Sequence, residues 1–176
     1  MTEIFQDHVD SPIGWMILLA REGVLLLLEF EEAGDRVARE LKARFGDYWL
    51  VPKANPFGLS DRIRAYFAGD FGAIEEIATD GGGTPFQRRV WEELKRIPRG
   101  TTISYGELAR RIGNPNAMRA VGLANGRNPV SVVVPCHRVI GADGSLTGYG
   151  GGMGRKEWLL RHEGAGRASA QGELAL

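Results

Sequence analysis

The chain has 176 residues, of which 43% are hydrophobic and 25% are charged; this composition is that of a folded globular protein and argues against intrinsic disorder. Its formal net charge is zero, but residues 1–83 carry 15 acidic and 8 basic side chains, whereas residues 84–176 carry 7 acidic and 14 basic ones. Residues 2–10 lack a signal-peptide pattern, and apolar runs such as 24–28 are too short to cross a bilayer, so we expect a cytoplasmic protein that contacts no membrane.

The first 80 residues are predicted to form a small domain with a sheet and helices. The runs 15–20 and 24–30 are typical of strands, and the Glu22-Gly23 pair between them favours a tight hairpin turn. Apolar residues recur at helical spacing over 35–45, which predicts a helix. The other predicted elements are a connector over 52–56, a helix over 59–67 with Ser60 as its N-cap, and a strand over 74–78.

A glycine-rich stretch over 80–84 predicts a domain boundary, because the sign of the charge also changes there. We therefore expect an N-terminal α/β structural domain over 1–80 and a second domain over 84–165. The tail 166–176 is small and polar, and we expect it to be disordered. The predicted fold class is α+β, with a sheet-plus-helix domain followed by a mainly helical one.

The second domain contains a helix-turn-helix pattern. Thr84 followed by Pro85 is a strong signal for the start of a helix over 85–97. Two shorter helices, over 104–112 and 116–125, are joined by a turn that contains glycine. Many helical proteins contain such a pair without binding DNA. Beyond it we predict a capping box between Ser104 and Glu107, a β-rich run over 130–134, a glycine-rich loop over 141–154 and a last helix over 155–162.

Cys136 is the only cysteine, so no internal disulfide is available and a reducing compartment fits. A free cysteine is often just a small buried hydrophobe. However, Pro135 cannot donate to a strand ladder, which predicts that Cys136 lies in a loop. His137 and Arg138 follow, and both side chains can favour a nucleophilic thiolate. Adjacent residues of an extended segment point in opposite directions, so a water molecule could bridge Cys136 and His137.

Two other kinds of site receive less support from the sequence. A cysteine hydrolase needs a histidine base and an orienting group, and only His8, His137 and His162 are available. One cysteine and three scattered histidines provide no ligand spacing for zinc, so we expect no metal site.

Several linked motifs around Cys136 resemble one family. They are PCHRV (135–139), NP (128–129), GYGG (148–151), SYGELA (104–109), RAVG (119–122) and KEWLL (156–160). Together they resemble the DNA 6-O-alkylguanine alkyltransferases, also called methylated-DNA–protein-cysteine methyltransferases. The resemblance extends from about residue 84 to residue 164, and it is loose before residue 80, where only DSPIG (10–14) and YFAG (66–69) match.

The resemblance implies direct reversal of DNA damage without a cofactor. An alkylated guanine in double-stranded DNA is flipped out of the duplex, and Cys136 takes the alkyl group from its 6-oxygen in a single irreversible turnover. The 4-oxygen of alkylthymine is a further expected donor, and the protein is expected to act as a monomer. The implied catalytic residues are the acceptor Cys136, the base His137, its orienting carboxylate Glu163, the proton donor Tyr105 and the hinge Asn128.

The resemblance also implies two sets of binding residues. Arg119 resembles the residue that enters the DNA stack in place of the flipped base, and the second helix of the pair is expected to dock in the minor groove. The implied DNA-binding residues are Arg119, Ala120, Asn116, Thr102, Ser104 and Arg127. The implied residues of the base pocket are Tyr149, Gly150, Val139, Ser131 and Trp158.

Some features differ among relatives. The sequence lacks the cysteines that hold a structural zinc in some relatives. We expect neither the cysteine-rich sensor domain that others carry nor a regulatory role. Gly150 and Ser131 are expected to alter the tolerance for bulky alkyl groups. Two alternatives to a single-turnover alkyltransferase stay open: a module that binds alkylated bases without chemistry, and an unrelated cysteine hydrolase.

Overall fold

The computed structural model describes residues 1–165, so the predicted disorder of the tail lies outside the described residues. The chain divides into two compact units. The first comprises Met1–Gly82 together with Pro129–Val133, and the second comprises Gly83–Asn128 and the chain from Val134 onward. The α+β fold class is confirmed, because a sheet of four strands is followed along the chain by helices. Over residues 1–165, no helix has both the length and the apolar character that a bilayer crossing requires.

The first unit is built on a four-stranded sheet. Its strands are β1 (Thr2–Val9), β2 (Met16–Arg21), β3 (Val24–Phe30) and β4 (Tyr48–Pro52), in the order β3-β2-β1-β4. The predicted hairpin of β2 and β3 is confirmed, and Glu22 and Gly23 both take positive φ angles in its turn, as the right-handed twist of a tight hairpin requires. Strands β1 and β4 were not predicted. They pair in parallel with each other, and such pairing between distant segments leaves no signal in the local sequence.

Two helices cover this sheet. Helix α1 (Gly34–Phe45) confirms the predicted helix and buries Val37 and Leu41 with sheet residues such as Ile4 and Leu19. Helix α2 (Leu59–Phe67) was also predicted. The expected cap by Ser60 is wrong, because the helix already begins at Leu59 and the Ser60 hydroxyl donates to Asp7 at 2.6 Å.

The predicted strand over 74–78 is also wrong. A 3-10 turn over Phe71–Ile74 precedes this segment, and the sheet is reached only later, by a single bridge between Leu25 and Thr79. The 3-10 turn buries Ile74, so the apolar pattern of this segment reflects burial in a turn and not a strand ladder.

The segment Pro129–Val133 joins the edge of the same sheet. Leu28 donates its N–H to the Pro129 carbonyl and accepts from the Ser131 N–H, each at 2.9 Å. The predicted β-rich run over 130–134 therefore pairs at Val130 alone. It ends because Val132 has a φ of 73°, in a γ-turn closed by the Val133 N–H on the Ser131 carbonyl. A positive φ is unusual for a β-branched residue, and such strain persists only where the surroundings fix the backbone.

The second unit is mainly helical. Its helices are α3 (Pro85–Leu94), α4 (Tyr105–Arg111), α5 (Met118–Gly126) and α6 (Met153–Glu163), and two short strands, β5 (Ile103–Ser104) and β6 (Val139–Ile140), pair in parallel. Helix α3 begins with a complete capping box between Thr84 and Gln87 and ends before the predicted residue 97. The Ser104 hydroxyl caps α4 as predicted, while the Glu107 carboxylate binds arginines one turn further on.

Candidate active site

Cys136 lies at the start of a single 3-10 turn, Cys136–Arg138, that follows Pro135. The φ and ψ angles of Pro135, −82° and 66°, form an inverse γ-turn, and the Cys136 N–H donates to the Val134 carbonyl at 2.8 Å. The expected break in regular pairing at Pro135 is therefore present. The chain then enters β6 at Val139, which pairs with Ile103. The Cys136 side chain is only 6% exposed.

Two buried asparagines near the end of α5 hold the backbone around Cys136. The Asn128 amide donates to the Val134 carbonyl at 2.8 Å, and the Asn125 amide donates to the carbonyl of Cys136 itself at 3.3 Å. Asn128 was expected to tie this helix to the active-site segment. Asn125 was not singled out, although an asparagine within a predicted helix is a weak helix former that often has a specific polar contact.

His137 and Arg138 both bind the buried carboxylate of Glu163. The His137 Nε2 lies 3.0 Å from one Glu163 oxygen, and Arg138 donates two hydrogen bonds of 2.9 Å to the carboxylate. A further bond of 2.7 Å joins Arg138 to the Ile97 carbonyl. Burial alone would raise the pKa of Glu163, but the contacts with His137 and Arg138 outweigh it and hold this pKa below its usual range. Glu163 is therefore an acceptor only.

This arrangement fixes the tautomer of the imidazole. Because the Glu163 carboxylate can only accept, the Nε2 of His137 must carry the proton between them. Burial lowers the pKa of His137, although Glu163 opposes this effect, so the ring is neutral at neutral pH. The other ring nitrogen, Nδ1, is buried and has no hydrogen-bond partner within residues 1–165. Its lone pair is available to accept a proton.

The expectation that Arg138 favours the thiolate is wrong. Its guanidinium is fully engaged by Glu163 and the Ile97 carbonyl, and neutral His137 supplies no positive charge. Burial raises the pKa of the Cys136 thiol, while the Asn128 amide and the Lys156 ammonium partly offset it. The resting side chain is thus a thiol, and a neutral base must take its proton before it can attack.

Lys156 of α6 is a buried cation that the sequence reasoning did not identify as functional. Its side chain is fully buried, and its Nζ donates to the carbonyls of Val139 at 2.6 Å and Thr147 at 2.7 Å. Burial lowers the pKa of Lys156 to about 8, and an attraction to the Cys136 thiolate opposes that change. A lysine in the first turn of a predicted helix usually suggests an exposed position, so the sequence held no signal for its burial.

The Tyr105 phenol lies beside the glycine-rich loop. Its hydroxyl donates to the Thr147 carbonyl at 2.8 Å, the same carbonyl that Lys156 contacts. Burial raises the pKa of Tyr105, while contacts with Thr147 and the Asn125 side chain partly oppose this, so the phenol keeps its proton at neutral pH. Gly148 is required here, because it has a φ of 74° and a Cβ would lie 2.7 Å from the Tyr105 hydroxyl.

The other predicted residues separate into distinct places. Arg119, Ala120 and Arg127 are exposed on or just after α5, beside Leu123, which is 60% exposed. Asn116 is exposed before α5, Thr102 is partly buried before β5, and the Ser104 hydroxyl is occupied by the cap of α4. Of the predicted pocket residues, Tyr149 and Val139 are buried and Gly150 is exposed.

Two predicted pocket residues have specific partners elsewhere. Ser131 belongs to the first unit, where its hydroxyl donates to Glu29 at 2.8 Å. The Trp158 ring stacks on His162, one turn further along α6, with ring centroids 4.6 Å apart. Cys136, Asn128, His137 and Glu163 are thus brought together by the second unit. Among residues 1–165, no cluster of three or more metal-binding side chains is found.

Comparisons with known proteins match this chain to methyltransferases that act on methylated DNA. The family model described as "6-O-methylguanine DNA methyltransferase, DNA binding domain" matches residues 85–165. The methylated-DNA–protein-cysteine methyltransferase of Shigella flexneri is 47% identical, over 93% of this chain and 98% of its own. The corresponding protein of Mycobacterium tuberculosis is 45% identical, over 96% of this chain and 95% of its own. A crystal structure of Mycobacterium tuberculosis OGT in complex with DNA matches with a TM-score of 0.76 and 45% identity, covering 93% of this chain and 94% of that one.

Proposed function

The chain belongs to the methylated-DNA–protein-cysteine methyltransferase family, and from that premise we propose that Cys136 accepts the alkyl group of a 6-O-alkylguanine in DNA in one irreversible event. The protein is a DNA-repair methyltransferase. The hydrogen bonds around Cys136 support the choice of reacting atoms, the single turnover and the handling of the base.

The first step removes the proton from the thiol. The free lone pair on the Nδ1 of His137 takes the Cys136 proton through a bridging water, since the two residues are adjacent in one tight turn. Glu163 holds the Nε2 proton in place and stabilises the imidazolium that forms. The Lys156 ammonium stabilises the new thiolate. The raised pKa of the thiol and the lowered pKa of the imidazole keep both groups neutral until the substrate arrives.

The second step transfers the alkyl group. The sulfur electron pair forms a bond to the alkyl carbon while the bond from that carbon to the 6-oxygen breaks and leaves its electron pair on guanine. The Tyr105 phenol, which keeps its own proton at neutral pH, gives up its hydrogen bond to the Thr147 carbonyl and donates that proton to the leaving base. The phenolate then regains the proton that left the thiol. The products are neutral guanine and S-alkylcysteine. The protein reacts only once, because regeneration would have to expel the cysteine thiolate from an unactivated alkyl carbon, and a thiolate is a poor leaving group there.

The exposed side of α5 is the proposed DNA-binding surface. Arg119 and Arg127 provide positive charge beside the exposed side chains of Ala120 and Leu123, a combination that suits phosphates and the floor of the minor groove. We assign Arg119 to fill the space of the flipped base, and Asn116, Thr102 and Ser104 to contact the DNA. The proposed reaction needs no cofactor. The protein is proposed to act as a monomer in the cytoplasm.

The proposed pocket accepts the flipped base next to Tyr149, Val139 and Gly150. A 4-O-alkylthymine presents the same alkyl–oxygen bond and is a further proposed substrate. One observation carries the proposal: the Nε2 of His137 is held by Glu163 while its Nδ1 has no partner in the described chain. This leaves one neutral base beside one neutral thiol.

The test is the mass of the intact protein after incubation with a duplex that carries one 6-O-methylguanine. We expect a stoichiometric gain of one methylene unit, mapped to Cys136, and no gain for Cys136→Ala, which should still bind the duplex. No change in mass while the duplex stays bound would instead support a protein that recognises the damage without removing it. Repeated product formation per protein molecule would support a hydrolase.

A further inference from the structure

The Asn125 side chain has one satisfied half and one unsatisfied half. It is only 2% exposed. Its Nδ2 donates to the Cys136 carbonyl at 3.3 Å, whereas its Oδ1 is buried and has no hydrogen-bond partner in the part of the chain that the structure describes. A carbonyl oxygen can only accept, so the contact with Cys136 assigns the nitrogen and oxygen of this amide.

An unsatisfied buried acceptor is costly. Leaving such a group without a hydrogen bond costs about 1–3 kcal/mol, and most buried polar groups therefore have partners. The Asn125 amide cannot turn its oxygen elsewhere without losing its bond to the Cys136 carbonyl. The neighbouring phenol of Tyr105 is already committed, because its hydroxyl donates to the Thr147 carbonyl. The missing donor is therefore expected to come from outside the protein.

Asn125 contacts two groups that act on the substrate in the proposed function. It contacts the backbone of the nucleophile, Cys136, and its side chain lies against the phenol of Tyr105. Both groups act on the same base in the proposed function. A side chain in contact with both groups is therefore a candidate to meet that base.

The chemistry of the damaged bases then selects one partner. Alkylation at the 6-oxygen removes the proton from N1 of guanine, so the exocyclic 2-amino group is the only N–H donor left on the base. An alkylthymine modified at its 4-oxygen has no N–H donor at all. We propose that the Oδ1 of Asn125 accepts a hydrogen bond from the 2-amino group of the alkylguanine, which makes Asn125 a specificity-determining residue. This inference rests on the proposed function and extends it to the choice of base.

The consequence is discrimination between substrates that carry the same alkyl group. A site that is built to bond a substrate N–H rejects an analogue that lacks it, because the buried polar group then remains unpaired. The protein should therefore prefer 6-O-methylguanine to 6-O-methylhypoxanthine, which differs only by the missing 2-amino group. The protein should also prefer 6-O-methylguanine to 4-O-methylthymine.

The test compares transfer rates on two duplexes that contain 6-O-methylguanine or 6-O-methylhypoxanthine. We expect the wild-type protein to react about tenfold or more faster with the guanine, and Asn125→Leu to bring the ratio of the two rates close to one. Asn125→Asp keeps an acceptor but loses the donor to Cys136, so both rates should fall while the preference for guanine persists. Asn128→Leu is the matched control: it removes another buried amide and should lower both rates with the ratio unchanged.

The ratio is measured within each variant, so a general loss of folded protein does not alter it. A wild-type preference that survives in Asn125→Leu, or equal wild-type rates on the two duplexes, would overturn the role of Asn125 and leave the proposed function intact. Failure of the wild-type protein to transfer from either duplex would overturn the proposed function itself.

Discussion

Among residues 1–165, each of the two units has one deeply buried glutamate, and the two carboxylates are stabilised in similar ways. Glu29 in the first unit is 5% exposed and Glu163 in the second is 2% exposed. Each is paired with an arginine, Arg36 and Arg138 respectively. An isolated carboxylate at such a position would be very costly to bury, so each glutamate needs its arginine to offset the loss of hydration.

The third partner separates the two clusters. Glu29 accepts a hydrogen bond from the Ser131 hydroxyl, whereas Glu163 binds the His137 imidazole. A hydroxyl only fixes the position of a backbone segment, but an imidazole carries its proton on either of two nitrogens. The same buried ion pair therefore has a purely structural use in one unit, and in the other it determines which nitrogen beside Cys136 can act as a base.

The sharpest way to test this difference is to remove the charge from each glutamate in turn. In Glu163→Gln, the new amide can donate to the Nε2 of His137 and move the proton to Nδ1, where the base is needed. We expect the rate of methyl transfer to fall by about 10²–10⁴-fold, the usual contribution of a general base. In the matched variant Glu29→Gln, the rate per folded molecule should stay at the wild-type value. Single-turnover kinetics with a methylated duplex measure both, and similar losses in the two variants would contradict the distinction.

Removing the arginines tests what the clusters have in common. Arg138→Met removes the guanidinium from the buried carboxylate of Glu163, and we expect the free energy of unfolding to drop by about 3 kcal/mol. Arg36→Met should cost less, about 1 kcal/mol, because the Arg36 side chain is 36% exposed and solvent screens the pair. Urea denaturation monitored by tryptophan fluorescence gives both values. A larger loss of unfolding free energy in Arg36→Met than in Arg138→Met would contradict this prediction.

Acidity should distinguish the clusters, because only the second contains an imidazole. Burial lowers the pKa of His137 below its usual value of 6.5, so the neutral, basic form persists to lower pH than in a free histidine. We therefore expect the transfer rate at pH 6.5 to remain close to its value at pH 7.5, and to decline only below that. A pH–rate profile whose acidic midpoint lies at or above 6.5 would argue against His137 as the buried base.

The smallest expected effect concerns the hydroxyl. Ser131→Ala removes one hydrogen bond to Glu29 and keeps the ion pair, so the free energy of unfolding should decrease by about 1 kcal/mol. Transfer to Cys136 should keep its wild-type rate constant. Thermal unfolding and methyl-transfer kinetics on the same preparation provide the two readings, and a stability equal to that of the wild type would show that this bond contributes nothing.

The sequence was most informative where local chemistry decides the structure. The proline and threonine that begin α3, the apolar spacing of α1 and the turn at Glu22 and Gly23 all act over a few residues, and each predicted its element. Strand β4 was missed because its partner, β1, lies more than 40 residues away. The 3-10 turn at 71–74 was missed because a buried turn and a short strand have the same apolar pattern.

The candidate site shows the same division. Cys136 was predicted to lie in a loop because Pro135 cannot donate a hydrogen bond to a strand ladder. The direction of a long side chain, by contrast, cannot be predicted from the residues next to it in the sequence. Arg138 follows Cys136 by two residues and binds Glu163 instead. Lys156 is charged and fully buried, against every compositional expectation. Asn125 was hidden because its partners lie on other segments of the chain.

The carbonyl of Thr147 joins two of these residues. It accepts one hydrogen bond from the Tyr105 phenol and another from the Lys156 ammonium, and the next residue is Gly148, whose backbone has the greatest freedom to rotate. Both bonds therefore depend on the orientation of one peptide plane. If that plane turns, the Tyr105 phenol and the Lys156 ammonium both lose this acceptor, while Lys156 keeps its bond to the Val139 carbonyl. The orientation of one peptide in the glycine-rich loop therefore influences the acid and the cation of the site at the same time.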